Sequence, residues 1–340
     1  MKIIYGVSGE GFGHSSRAKE ILWHLRKQGH KILVLTYGQA ISVLKEFPMI
    51  KIEGVKFVVE NNKIHTGKTI IESIRSFSKN IKNWPKIQNR IDKFKPDICI
   101  TDFEPLTAII RFWRNIPLIS IDNQHRLTHI PLKVPKRYRK DFLIAKNIVN
   151  ICVSRADYFI ILSFTKVRPK TKNTFIVSPI LRKEILSLKP KRGDKILVYL
   201  NKPNSSFIKI LKNINQNFIV YGFNKSKKEK NIQFKQIGLE FLSDLANCKA
   251  VIGTSGFTLI SESLYLKKPY FALPMQSQFE QTLNALFLKN SKLGDFSDNP
   301  NKKQIQRFIS SLSKYRKNLK NYNCKPNEAM SVLDSILKKF

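Results

Sequence analysis

Acidic side chains are scarce in this chain: 24 Asp and Glu stand against 61 Lys and Arg in 340 residues, a net charge of +37. Cysteine is scarce too. Cys99, Cys152, Cys248 and Cys324 are scattered with no CxxC pair, which argues against a zinc site and against a disulfide framework. Long apolar runs are missing, so no segment reaches the roughly 18 residues that a spanning helix needs. Met1 leads straight into a strand pattern where a secreted protein would carry a leader, and the expected location is the cytoplasm. What remains is a chain long enough for two α/β domains, each able to bury its own core.

So strong a positive charge invites a nucleic-acid reading. Its distribution argues the other way. Residues 251–300 hold 4 basic and 4 acidic side chains, whereas residues 301–340 hold 10 and 2. The excess vanishes in the segment richest in motifs. The abundance of Ile, Asn and Lys points to a compositional bias as one source of charge. The other is an anionic membrane surface, where each basic residue near the leaflet contributes on the order of 1 kcal/mol.

Strand and helix patterns alternate, the signature of parallel sheets in an α/β fold. Lys2 to Val7, Lys31 to Thr36, Val55 to Val59, Ile98 to Thr101, Leu118 to Ile121, Tyr158 to Leu162 and Thr174 to Val177 read as strands of a first domain. A second set comprises Ile196 to Leu200, Phe218 to Tyr221, Gln233 to Lys235, Ala250 to Ile252 and Tyr270 to Ala272. The pattern predicts two Rossmann-like domains facing a central cleft, at residues 1–180 and 195–300. Residues 181–194 form the linker, and residues 301–340 are basic helices expected to return toward the first domain. Lys225 to Lys230 reads as a solvated loop.

Gly253 to Ala285 carries the densest chemistry. A buried strand feeds the turn Thr254-Ser255-Gly256 and then a helix from Phe257 to Tyr265. Unpaired N–H groups at the positive end of a helix favour a phosphate, which nominates Ser255, Gly256 and Thr258. Glu262 lies one turn past Thr258 on the same face, aimed at a ribose diol. Glu280, Gln281 and Asn284 open the next helix and offer donors and acceptors to the hydroxyls of a hexose. Backbone near Gly222-Phe223 and Ile237-Gly238 is expected to form an apolar slot for a base.

At these residues the chain resembles the C-terminal half of GT-B glycosyltransferases. It is most similar to the branch containing the N-acetylglucosaminyltransferase of peptidoglycan lipid synthesis and the diacylglycerol sugar transferases. MKIIYGVSGEGFGHSSRAKEILWHLRKQGHKILVLT resembles the first strand, glycine loop and helix of that branch. GxGHxxR, Gly11 to Arg17, marks a group of prokaryotic members. The resemblance covers Met1 to Lys45 and Lys195 to Gly294, and the middle through the TDFEP and IDNQH strings. It implies a UDP-sugar donor, an N-acetylhexosamine or hexose, and a lipid-linked or polysaccharide acceptor. Retaining relatives carry a second glutamate eight positions before the ribose glutamate; Thr254 stands there, which implies inversion.

Gly9, Gly11 and Gly13 suggest a dinucleotide fingerprint, but G-x-G-x-x-G would need glycine at Ser16, and the second strand ends without a ribose-binding acid. These glycines instead let backbone approach a substrate, with Gly13 on the donor side and Gly11 and Phe12 on the acceptor side. His14 is either a general base oriented by Asp102 or a contact to the diphosphate. Glu104 is the rival base. Arg17 sits over the diphosphate or pairs on the helix surface. Asp102-Phe-Glu104 looks like a D-x-D metal motif, yet helix dipoles and a basic cleft neutralise a diphosphate without one, so no metal and no cofactor are expected.

Asn123 and His125 follow another strand and are expected to touch acceptor. The run Lys133 to Lys140 leads into the apolar Phe142-Leu-Ile-Ala145, which suits a peripheral contact on the inner face of the cell membrane. The expected activity is therefore a metal-independent glycosyltransferase. Its rivals are a sugar-nucleotide 2-epimerase of the same fold and a non-catalytic module that binds sugar-nucleotide or nucleic acid.

Overall fold

The computed structural model describes residues 1–54, 59–60, 63–64, 66–153 and 155–340. They divide into two compact units, Met1–Arg182 with Lys325–Phe340, and Lys183–Cys324.

In the first unit β1 (Lys2–Val7), β2 (Lys31–Thr36) and β3 (Met49–Lys51) form one side of a seven-stranded sheet. The two-residue strands β4 (Val59–Glu60) and β5 (Lys63–Ile64) pair separately. The other side holds β6 (Ile98–Asp102), β7 (Leu118–Asp122), β8 (Tyr158–Leu162) and β9 (Thr174–Val177). The order is β3-β2-β1-β6-β7-β8-β9, and every pair is parallel. Strands buried on both faces need near-continuous apolar runs, and Lys2-Ile-Ile-Tyr-Gly-Val7 supplies one. The expected strand at Val55 to Val59 lies outside the described residues except for Val59. A 29-residue helix, Thr66–Phe94, precedes β6 and contains Pro85.

The second unit contains β10 (Ile196–Tyr199), β11 (Phe218–Tyr221), β12 (Lys227–Glu229), β13 (Ile232–Phe234), β14 (Ala250–Thr254), β15 (Tyr270–Leu273) and β16 (Gly294–Phe296). Their order is β12-β13-β11-β10-β14-β15-β16, parallel except for β12. The segment expected as a loop at Lys225 to Lys230 thus contributes an edge strand. Its lysines suit that position, because charge on an unpaired edge discourages pairing with another chain.

The chain end divides between the units. Asn301 caps the helix Lys302–Ser310 in a reciprocal box with Gln304. Ile305, Phe308 and Leu312 then bury against Phe271 and the core of the second sheet. Only the last helix, Glu328–Leu337, belongs to the first unit, packed on β8 and β9. Glu328 accepts from the Ser178 amide at 2.8 Å, and Asp334 meets His24 at 2.8 Å. The last helix thus lies with the first unit, where a return was expected, whereas the helices before it do not: the apolar stripe at 305–312 finds its core in the second unit.

Candidate active site

Each sheet reverses its strand order once, between β1 and β6 and between β10 and β14. Loops leaving the carboxyl ends of such strands diverge, and open α/β sheets bind ligands at that place. Both sequence-nominated clusters lie there.

At the first switch point, β1 ends at Val7 and the helix Phe12–Lys27 begins after Gly11, whose φ of 77° lies in the left-handed region that glycine enters without strain. Phe12 is exposed at the helix start. His14 and Arg17 are three apart, hence on one helical face, and both reach the buried end of β6. His14 Nδ1 lies 2.7 Å from Asp102 Oδ1. Arg17 donates from Nε to Asp102 Oδ2 at 2.6 Å and from Nη2 to Asp102 Oδ1 at 2.5 Å. Its third nitrogen, Nη1, donates to Asn123 Oδ1 at 2.8 Å. Asp102 is wholly enclosed and Arg17 is 5% exposed. Arg17 therefore does not pair on the helix surface, and its guanidinium is engaged by Asp102 and Asn123. The structure brings His14 and Asp102 together as expected and adds Gln124, whose amide nitrogen lies 3.3 Å from His14 Nε2.

Glu104 is a helix cap. Its carboxylate accepts from the amides of Leu106 and Thr107, each at 2.8 Å, and from the Thr107 hydroxyl. Burial pushes its carboxyl above the usual range, against the pull of those hydrogen bonds. As a rival base it is enclosed and occupied, and the signal was in the sequence: a capping residue followed by Pro105 at the first helical position. The D-x-D reading fails with it, because Asp102 and Glu104 serve separate partners. Among the described residues no group of three or more His, Cys, Asp or Glu side chains is arranged to hold a metal ion.

The loop after β7 is also internal. Asp122 accepts from the His125 amide at 2.9 Å, from Ser120 Oγ at 2.7 Å and from His125 Nδ1 at 2.6 Å, while His125 Nε2 meets the Val153 carbonyl at 2.9 Å. Both ring nitrogens face acceptors, the arrangement of an imidazolium. Burial opposes the charge on each group, but the pairing prevails: Asp122 is held well below the usual carboxylate range and His125 is raised. Asn123 and His125, expected to touch acceptor, instead brace the loop from inside the fold.

At the second switch point, Gly256 starts the helix Phe257–Tyr265 with no side-chain cap. The space beside its Cα is open. Ser255 is buried, and its Oγ has no hydrogen-bond partner among the described residues. Uncapped first-turn amides, the positive helix end and an unpaired hydroxyl together make a ready anion cradle. Glu262 is buried on the same helix one turn past Thr258. Thr254 Oγ1 donates to Asn201 Oδ1 at 3.1 Å, a link to the loop following β10 that sequence reading missed.

Two of the three expected hexose contacts are engaged within the fold, one of them on this cradle. Asn284 is fully buried and donates to the Ser255 carbonyl at 2.8 Å. Gln281 accepts from the Met275 amide at 3.1 Å and donates to Gln278 Oε1 at 2.7 Å. Glu280 is half-buried beside them. Gly222, with φ 98°, lies so close to Leu200 that a Cβ would be 1.8 Å from its carbonyl oxygen. Phe223 packs edge-on against Phe234 at 5.3 Å, and Ile237 is exposed. The loops carrying them leave β11 and β13, which are neighbours.

Residues 1–313 match the family described as glycosyl transferase family 1. Curated relatives include an uncharacterized glycosyltransferase of Methanosarcina mazei, 24% identical over 86% of this chain and 85% of its own length. Another, from Methanosarcina acetivorans, is 22% identical over the same shares. Among solved structures, the glycotransferase of kitacinnamycin superposes with a TM-score of 0.67 at 12% identity, covering 100% of this chain and 99% of that one. MurG of Acinetobacter baumannii gives 0.63 at 14% identity, covering 99% of both chains. The spinosyn rhamnosyltransferase SpnG, complexed with thymidine diphosphate, gives 0.63 at 11%, covering 99% of this chain and 100% of that one. At these identities the structural likeness speaks for the fold, two Rossmann-like units of the GT-B type.

Proposed function

Because this chain belongs to glycosyl transferase family 1 and so moves a sugar from a nucleotide-sugar donor, we propose that it inverts the anomeric centre without a metal, with His14 as general base. The donor in this reading is a UDP-sugar, an N-acetylhexosamine or hexose, and the acceptor is a lipid-linked or polysaccharide hydroxyl. The observation that carries the reading is the 2.7 Å contact of His14 Nδ1 with buried Asp102. A carboxylate on Nδ1 keeps the proton there and leaves the Nε2 lone pair to deprotonate a hydroxyl.

The donor half rests on the second unit. Ser255, Gly256 and Thr258 would hold the diphosphate, Glu262 the ribose, and Glu280 the hexose. Gly222, Phe223 and Ile237 would receive the base. Thr254, where a retaining relative carries its second glutamate, supports inversion.

Membrane contact is proposed for the first unit. Beyond Lys136, Arg137, Arg139 and Lys140, the helix Arg139–Cys152 exposes Leu143, Ile144, Ile148 and Ile151. No described helix is long and apolar enough to cross a membrane. A basic rim beside exposed aliphatic side chains suits the cytoplasmic face of an anionic leaflet.

A thermal-shift screen of UDP-, dTDP- and GDP-sugars tests the donor. A ligand at 100 times its Kd adds about 2.7 kcal/mol of stability, and a response to UDP-N-acetylglucosamine but not to GDP-mannose is expected. NMR of the product anomer tests inversion. Retention of configuration, or turnover abolished by EDTA and restored by Mg²⁺, would overturn the mechanism.

A further inference from the structure

We propose that Arg17, the last residue of the Gly11 to Arg17 motif, is a positioning residue that fixes the tautomer of His14 through Asp102. The inference rests on the reading of His14 as the base. A carboxylate that orients a histidine must stay ionised although buried and must present one lone pair in a fixed direction. Asp102, wholly enclosed at the end of β6, has no water to meet either need. Arg17 meets both. Its planar fork engages the two oxygens separately, Nε on Oδ2 at 2.6 Å and Nη2 on Oδ1 at 2.5 Å. Paired in this way a carboxylate holds its charge and cannot swing.

The third arm of the fork is anchored independently. Nη1 donates to Asn123 Oδ1 at 2.8 Å, and Asn123 sits between Asp122 and Gln124 in the loop that the Asp122–His125 pair pins. Sheet and loop therefore hold the guanidinium together.

The contacts on both ring nitrogens of His14 then favour one tautomer. Nδ1 lies 2.7 Å from Asp102 Oδ1 and 2.8 Å from Arg17 Nη2. Without a proton, Nδ1 would accept from Arg17 Nη2 but set its lone pair against the buried carboxylate oxygen 2.7 Å away. With one, it donates to Oδ1, and Arg17 Nη2 donates to the same oxygen beside it. Nε2 is then the acceptor, and the Gln124 amide nitrogen stands 3.3 Å away, placed to donate to it. Gln124 marks the position from which an acceptor hydroxyl would give up its proton. Lysine could not replace Arg17, because one ammonium cannot span both carboxylate oxygens and Asn123 in a plane.

Nitrogen-15 NMR of imidazole-labelled protein tests the inference without any substrate, with His14 assigned by its loss in His14→Gln. Neutral His14 in the parent protein is expected to carry its proton on Nδ1. In Arg17→Lys, which keeps the charge, the two tautomers are expected to mix. UDP-N-acetylglucosamine hydrolysis should fall roughly 10- to 100-fold with KM unchanged, against the 10²–10⁴ range of a general base removed outright. Asn123→Ala removes one arm of the fork and should move the tautomer ratio in the same direction, which keeps the test open if Arg17→Lys fails to fold. A proton on Nε2 in the parent overturns the proposal. So does a tautomer ratio in either variant equal to the parent's, or a raised KM at unchanged kcat in Arg17→Lys, the mark of a donor contact. The base reading fails separately, if His14→Ala hydrolyses UDP-N-acetylglucosamine at the parent rate.

Discussion

The two switch points are built to opposite specifications. Around β1 and β6, Arg17, Asp102 and Asn123 are buried and joined to one another, so the protein supplies its own counter-charges. Around β14 the helix has no side-chain cap, Ser255 Oγ has no partner among the described residues, and the space beside Gly256 is open. A self-satisfied network holds one side chain in one geometry. An unsatisfied cradle leaves donors that a ligand could meet. The difference matches the proposed division of labour, proton transfer in the first unit and anion binding in the second, and under that reading substitutions at the two places should fail in different ways.

The largest expected effect separates them most cleanly. His14→Ala should slow turnover by ~10²–10⁴ while leaving donor affinity at the parent value, measured by calorimetry with UDP-N-acetylglucosamine. A parallel loss of donor affinity would move His14 into the cradle and erase the contrast.

Glu262→Ala should do the reverse. Removing a charged acceptor from a buried site costs roughly 1.5–3 kcal/mol, a loss of about 10- to 150-fold in donor affinity. Unchanged binding would remove Glu262 from the site.

Glycines sharpen the comparison further. Gly256 has φ −64° and open space beside it, so Gly256→Ala should leave thermal stability within about 0.5 kcal/mol. The added methyl would stand where the phosphate is proposed to sit, and donor affinity should fall. Gly222→Ala is the counter-case, because its φ of 98° and its 1.8 Å approach to Leu200 predict a lowered melting temperature without any ligand. Equal stability of the two variants would contradict both assignments.

Much of this contrast was legible in the sequence, and the reasons it was not fully so are physical. Asp102 and Ser255 could be found because each lies at or just past the end of a buried apolar strand, and in a parallel sheet that end is where ligands bind. Periodicity gives a residue's face, not its depth. Asn284 and Gln281 share a face with Glu280, but they were assigned to substrate when they in fact tether Ser255 and Met275. A surface pairing was expected as one alternative for Arg17 for the related reason that arginine on a first helix is usually solvated, and only the pairing of β1 with β6 reveals the buried carboxylate beside it. Gln124 and Asn201 lie in loops, where no period constrains direction. The edge strand β12 was invisible because a lysine-rich segment reads as solvated whether or not it pairs.

The smallest expected effect concerns what holds the first network still. The Asp122–His125 pair fixes the loop bearing Asn123 and Gln124, so its protonation should tune stability before it touches chemistry. Asp122 is depressed in the folded protein, with the pull of His125 outweighing burial. Its contribution is present above the ordinary carboxylate value near 3.9 and is lost as pH falls toward the folded value. His125 is raised, with Asp122 outweighing burial, so its contribution is complete below the ordinary imidazole value near 6.5 and is lost as pH rises through the folded value. Together they predict a gap in melting temperature between the parent and His125→Gln that is widest from about pH 4 to 6.5 and narrows on either side. Donor affinity should stay at the parent value across that window, since the cradle in the second unit shares no residue with the pair. A gap that does not change with pH would mean that the pair is not ionised, and the Asn123–Gln124 loop would then be held by packing alone.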